Sequence, residues 1–201
     1  VRGRFLLVSF ILLATGTFSV LGDETPATDV LSDVVSQLAI QQRIRGSFTQ
    51  EKHLHFMQKP FISHGDFSLG RDDGLRWQVT EPLPSLMTVQ GAAVSLDGKP
   101  VNDRGVGRLI AGIMLGFMQG DLSGLAAEFE ISGEASASGW FLTLVPKGGG
   151  LASVLSRIEL SGDQYLHSVE VIERNTTRTR TVFSKVVKSG SEGAAPSAAS
   201  H

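Results

Sequence analysis

Between Thr28 and Leu38 the apolar positions Val30, Leu31, Val34, Val35 and Leu38 recur at the spacing of one helix face, and Thr28 stands where a cap belongs. From Ile44 the period changes to two. Ser47, Thr49 and Glu51 alternate with Phe48, Gln50 and Lys52, which leaves Phe48 as the inward anchor of a strand. A second strand is predicted from about Ile62 to Leu69 and a third over Leu75–Thr80. The turn Gly70-Arg71-Asp72-Asp73-Gly74 joins them, its Gly and Asp supplying the backbone angles of a hairpin. Pro82 and Pro84 end the third strand, because neither can donate to a ladder. Ser85–Val89 and Ala93–Leu96 follow as another pair, and Asp97-Gly98 marks a hairpin turn.

Arg104 to Phe117 breaks this β pattern. Leu109, Ile110, Ile113, Met114 and Phe117 predict an apolar helix, and Gly107, Gly112 and Gly116 lower its propensity by roughly 1 kcal/mol each. Greasiness combined with looseness suits a movable lid better than a rigid core helix. Asp121 caps a further short turn through Ala127. The β pattern resumes in Phe129–Ser132, Trp140–Val145, Arg157–Leu160, Leu166–Glu173 and Thr177–Val187. The fold class expected is α+β, mainly antiparallel β. A sheet of about ten strands curls into a barrel or half-barrel, with amphipathic helices covering its open side.

The ends of the chain read differently. Arg2 and Arg4, the apolar run Phe5–Ala14 and the small residues to Gly22 form a secretory signal over residues 1–22, so the mature chain is expected to start near Asp23. The apolar run is too short to span a bilayer comfortably. Residues 23–188 then form one domain, and 189–201, small and polar, read as a disordered tail. With 0 Cys there is no disulfide framework, no thiolate metal site and no cysteine to lipidate. A net charge of −2, made more negative by losing Arg2 and Arg4, argues against nucleic acid and against binding an anionic membrane surface.

Candidate chemistry is sparse. His53 and His55 share a strand face but lack a third ligand nearby in sequence, and His64 and His167 are isolated. Asp72-Asp73 lies in a Gly-rich turn, where Asp serves local bonding. Gly-x-Ser-x-Gly, Ser-x-x-Lys, His-Glu-x-x-His and phosphate-loop patterns are missing from the sequence. No catalytic residue, metal site or cofactor is assigned, and the chain reads as a non-enzyme that holds something apolar.

The segments Gly46-Ser-Phe-Thr-Gln50 and Gly65-Asp-Phe67, Arg71 six residues before Trp77, Pro82, the mid-chain Leu109-Ile110 helix and Val145-Pro-Lys147 carry a resemblance. In their order and spacing, after an export signal and an amphipathic helix, they resemble the LolA-type periplasmic carriers of outer-membrane lipoproteins, over about Val30 to Val187. The resemblance implies an unclosed, strongly curved half-barrel whose cavity holds acyl chains. The expected cavity residues are Phe48, Phe67, Leu69, Trp77, Met87, Val89, Phe129, Ile131, Phe141, Ile158 and Leu160. The lid is Leu109, Ile110, Ile113, Met114 and Phe117, and Arg71 is its latch.

Asp72 follows Arg71 where the family usually has Pro, and Gly91–Gly98 is small and plain where the family has an aromatic run. The chain is thus a divergent relative. The resemblance further implies a monomer in the periplasm of a Gram-negative bacterium that carries lipoprotein acyl chains or another lipid-like molecule. Its partners would be an inner-membrane donor and an outer-membrane acceptor, without stable membrane insertion. The alternative is a lipid-sensing or interaction module that signals to a membrane partner.

Overall fold

The computed structural model describes residues 27–39, 43–91, 93–101 and 106–188. The expected signal at 1–22 and the tail at 189–201 lie outside the described residues. Helix α1 (Ala27–Gln37) leads into strands β1 (Arg43–His53), β2 (Phe61–Gly70), β3 (Gly74–Glu81), β4 (Ser85–Gln90), β5 (Ala93–Leu96) and β6 (Lys99–Pro100). Helices α2 (Val106–Gln119) and α3 (Ser123–Glu128) follow. Strands β7 (Phe129–Ser136) and β8 (Gly139–Pro146), helix α4 (Gly149–Val154), and strands β9 (Leu155–Gly162), β10 (Leu166–Glu173) and β11 (Arg178–Lys188) complete the order.

All eleven strands form one sheet in the order β6-β5-β4-β3-β2-β1-β11-β10-β9-β8-β7, and every pairing is antiparallel. The chain starts in the middle of the sheet, winds to the β6 edge, crosses by α2 and α3 to the β7 edge, and winds back to lay β11 against β1. The two edges do not meet. The architecture is the unclosed, curved antiparallel half-barrel with helices expected from the sequence.

Helix α1 buries the stripe Val30, Leu31, Val34 and Leu38, with Val35 partly covered, and it packs across β7. It begins by Ala27, so Thr28 lies inside the first turn instead of capping it. The Asp97-Gly98 turn takes positive φ at both residues, 50° and 76°, which is the two-residue geometry that matches strand twist. The Asp97 carboxylate accepts the Leu86 N–H at 2.8 Å and ties this turn to β4.

The two Gly-x-Phe triplets interlock. Antiparallel pairing sets Gly46 opposite Phe67 and Phe48 opposite Gly65, so each ring lies over the other strand's glycine. A Cβ on Gly65 would sit 2.6 Å from the Phe48 ring and 2.1 Å from the Gln78 carbonyl oxygen. The same device recurs on the far side, where Trp140 pairs with Gly162 and lies over it. Large aromatic side chains thereby fit inside a sharply curved sheet without forcing its strands apart.

Candidate functional site

Alternation along each strand sends one set of side chains to the inner face. Phe48, Phe67, Leu69, Trp77, Val89, Phe129, Ile131, Ile158 and Leu160 are all buried there, and Met87 is partly buried beside Trp77. Leu75, Trp140, Leu142, Leu144, Val169, Val171 and Phe183 share this core, although the sequence reading did not select them. Among the described residues no charged side chain is buried, and every buried side-chain polar atom has a partner.

Phe141, expected in the cavity, departs from this inner set. It is 46% exposed on the outer face, while its neighbours Trp140 and Leu142 point inward. Strand β8 reads Trp-Phe-Leu-Thr-Leu-Val, with apolar residues in both phases, so its own pattern does not choose a face. Gly162 makes the choice, because only a residue without a side chain leaves room for an inward Trp140.

Aromatic contacts organise the interior into two clusters. Phe48 stacks on Trp77 with ring centroids 3.8 Å apart, and Phe183 meets Phe67 and Trp77 edge-on. Across the cavity, Phe117 of α2 stacks on Trp140 at 4.9 Å and 15°. The Trp140 indole N–H donates to the Asp163 carbonyl at 2.6 Å, which fixes the ring as a platform for the helix. Trp140 is a core side chain outside the expected set, and its space is made by Gly162, 22 residues later in the sequence.

Helix α2 lies over the concave face. Ala111, Ile113, Met114 and Phe117 are buried and Leu109 is partly buried; the side chain of Ile110 lies outside the described set. Its glycines differ in role. Gly112 faces open space, whereas a Cβ on Gly116 would stand 2.8 Å from the Asp121 carbonyl oxygen, where the chain turns back against the helix. Gly112 thus only lowers the helix propensity, whereas Gly116 permits the close approach of the returning chain.

With α2 in place, the interior is largely filled by the protein's own side chains. A cleft of about 30 Å³ remains at one end, between Ile44, Leu69, Met114, Phe117 and Leu166. At the other end a cavity of about 330 Å³ opens between Trp77, Met87, Leu96, Ala111, Val169 and Val171, with Gln50, Lys52, Ser85, Glu173, Thr179 and Thr181 toward its mouth. A groove of about 410 Å³ runs between α2, α3 and α4, lined by Leu109, Gly112, Ile113, Leu122, Leu125 and Leu151 among others.

Arg71, expected as the latch, shows no bond to α2 among the described residues. It is exposed in the β2–β3 turn and makes no hydrogen bond or ion pair among the described residues. The turn is fastened instead by Asp73, whose carboxylate pairs with Arg43 of β1. Asp72 forms no pair with Arg71 among the described residues either.

The remaining polar candidates serve local structure. His64 Nδ1 lies 3.1 Å from the Thr49 hydroxyl, His167 is 3.0 Å from Asp163, and His53 is 3.8 Å from Glu51. Among the described residues no three His, Asp or Glu side chains converge as metal ligands. The Asn175 side-chain oxygen accepts the Thr177 N–H, which shapes the β10–β11 turn. Asp121 accepts from the Ser123 hydroxyl at 2.6 Å and from its backbone N–H at 3.1 Å, at the start of α3. Those two bonds hold its carboxyl below the ordinary value of 3.8.

A family model described as outer membrane lipoprotein carrier protein LolA matches residues 41–194. No curated protein matches the chain. Among solved structures, a LolA superfamily protein from Nitrosomonas europaea is similar at 7% identity and a TM-score of 0.44, with 82% of this chain and 94% of that one covered. MucB is similar at 16% identity and a TM-score of 0.42, with 86% and 60% covered. The MucA/MucB complex of Pseudomonas aeruginosa gives 15% identity, a TM-score of 0.40, and 86% and 59% covered. The chain therefore spans about 60% of the length of MucB.

Proposed function

The chain belongs to the outer membrane lipoprotein carrier protein LolA family, a family of lipid-binding carriers, and from that membership we propose that it is a periplasmic shuttle. It would take up acyl chains of a lipoprotein, or of another lipid-like molecule, from an inner-membrane donor and carry them toward the outer membrane. The observation that carries this reading is the apolar concave face roofed by α2, a helix that is itself apolar and holds its place through Ile113, Met114 and Phe117.

Magnitudes favour exchange between lid and cargo. Burying one such side chain is worth about 1.5–3 kcal/mol, so three contribute roughly 5–9 kcal/mol to keeping the lid down. A 16-carbon acyl chain gains about 0.8 kcal/mol per CH₂, on the order of 12 kcal/mol gross. Cargo can therefore displace the lid, and the returning lid offsets roughly half of the cost of release. Water alone offers the chain no comparable phase. A stronger lid would exclude cargo, and a weaker one would never let it go.

The test is native mass spectrometry of protein purified from cells, with extracted lipids identified, alongside uptake of a fluorescent fatty-acyl probe. Co-purified acyl-bearing molecules or saturable probe uptake support the carrier. Protein that is consistently empty and takes up no probe sinks the reading.

A further inference from the structure

The cavity beneath α2 is polarised, and the polarity runs the same way on four strands. On β1 the inward side chains pass from Phe48 to Gln50 to Lys52, and on β11 they pass from Phe183 to Thr181 to Thr179. These are cross-strand partners rung by rung: Phe48 with Phe183, Gln50 with Thr181, Lys52 with Thr179. Strand β10 continues the gradient from Val169 through Val171 to Glu173, and β4 from Val89 through Met87 to Ser85. At the opposite end the small cleft is lined mainly by apolar side chains. A cavity for hydrocarbon alone would need no such ordering, since unpaired polar groups on its wall only cost desolvation.

The polar rungs are not equivalent. Gln50 donates its amide to the Thr181 hydroxyl at 3.0 Å, so the inner rung satisfies itself. Glu173 accepts from the Asn175 amide at 3.2 Å. Lys52, exposed on the outer rung, forms no ion pair or hydrogen bond through its side chain among the described residues, and the hydroxyl of Thr179 opposite it is equally unengaged. An ammonium with three donors therefore stands at the mouth of an apolar cavity with no acceptor assigned to it.

Resting on the carrier reading above, we propose that this mouth is the head-group site for a single-chain amphiphile with an anionic oxyanion head. The tail lies inward against Trp77, Met87, Val169 and Val171, and the carboxylate or phosphate rests on Lys52 and Thr179. A volume of about 330 Å³ sits at the small end of the range for ligand pockets and fits one chain. Polar ends of cargo are thus held at the mouth where β1 finishes and β11 begins, and chains enter tail first.

The test compares dodecanoate, dodecyl phosphate, dodecanol and dodecyltrimethylammonium by calorimetric titration of the full protein. A charge-assisted hydrogen bond predicts that both anions bind about tenfold or more tightly than the alcohol, and the cation more weakly still. Lys52→Met keeps the apolar stem and should abolish the anion preference, bringing both anions to the affinity of dodecanol. Lys59→Met, on the loop beyond β1, should keep the preference. The ratio of carboxylate to phosphate affinity identifies which head the site favours.

Equal binding of acid and alcohol overturns the head-group site and leaves the carrier standing, as does an anion preference that survives in Lys52→Met. Failure of all four to bind overturns both.

Discussion

Replacing Gly65 by alanine tests the interlocked Gly-x-Phe pairing of β1 and β2. The added Cβ would lie 2.1 Å from the Gln78 carbonyl oxygen on β3 and 2.6 Å and 2.8 Å from two atoms of the Phe48 ring. The ring could rotate, but it would leave its 3.8 Å stack on Trp77. The carbonyl belongs to a paired strand and moves only with its backbone, where Gly65 faces Val79 beside Gln78. Overpacking of this kind costs typically 1–3 kcal/mol, and loss of an aromatic stack a further 0.5–1.5 kcal/mol, so a destabilisation of about 3 kcal/mol is expected.

In a chain of this length that is a fall in Tm of roughly 6–12 °C. Gly112→Ala is the internal control: nothing lies within 4 Å of its Cβ, and the gain in helix propensity stabilises α2 by about 0.5–1 kcal/mol. Urea unfolding followed by tryptophan fluorescence measures both changes. A Gly65→Ala variant within 0.5 kcal/mol of wild type, with the Trp77 emission unaltered, would refute the steric argument.

Two further outcomes concern α2 and the turn that follows it. Phe117→Ala removes the ring stacked on Trp140 and should cost about 3–5 kcal/mol by chemical denaturation, with hydrogen exchange of the α2 amides accelerating first; a change below 1 kcal/mol would mean that the helix is not held there. Asp121 has a carboxyl pKa held down in the folded state by Ser123, so its stabilisation is present above the ordinary value of 3.8 and is lost as pH falls through the lower folded value. Asp121→Ala should therefore lower Tm at pH 7, with the gap to wild type closing in more acidic solution; a gap that is the same at both ends of a pH titration contradicts that linkage.

Local pattern determined a good deal about this protein. The α1 stripe, the limits of β2 to β5, the Asp97-Gly98 turn and the inward sense of Phe48, Phe67 and Trp77 follow from periods of 3.6 and 2 and from glycine chemistry, which act over a few residues. Tertiary structure decided what local pattern left balanced. Strand β8 is apolar in both phases, and the side facing inward was set by Gly162 on the neighbouring strand, which admits Trp140 and turns Phe141 out. Arg71 shares its turn with two carboxylates, and pairing across the sheet gave Asp73 to Arg43 and left Arg71 exposed.

The grading of the cavity from phenylalanine to lysine is present residue by residue in β1. It becomes a binding gradient only because register aligns β1 with β11 and β11 with β10. The β1/β11 register depends on contacts between segments more than a hundred residues apart, and no window along the chain contains them.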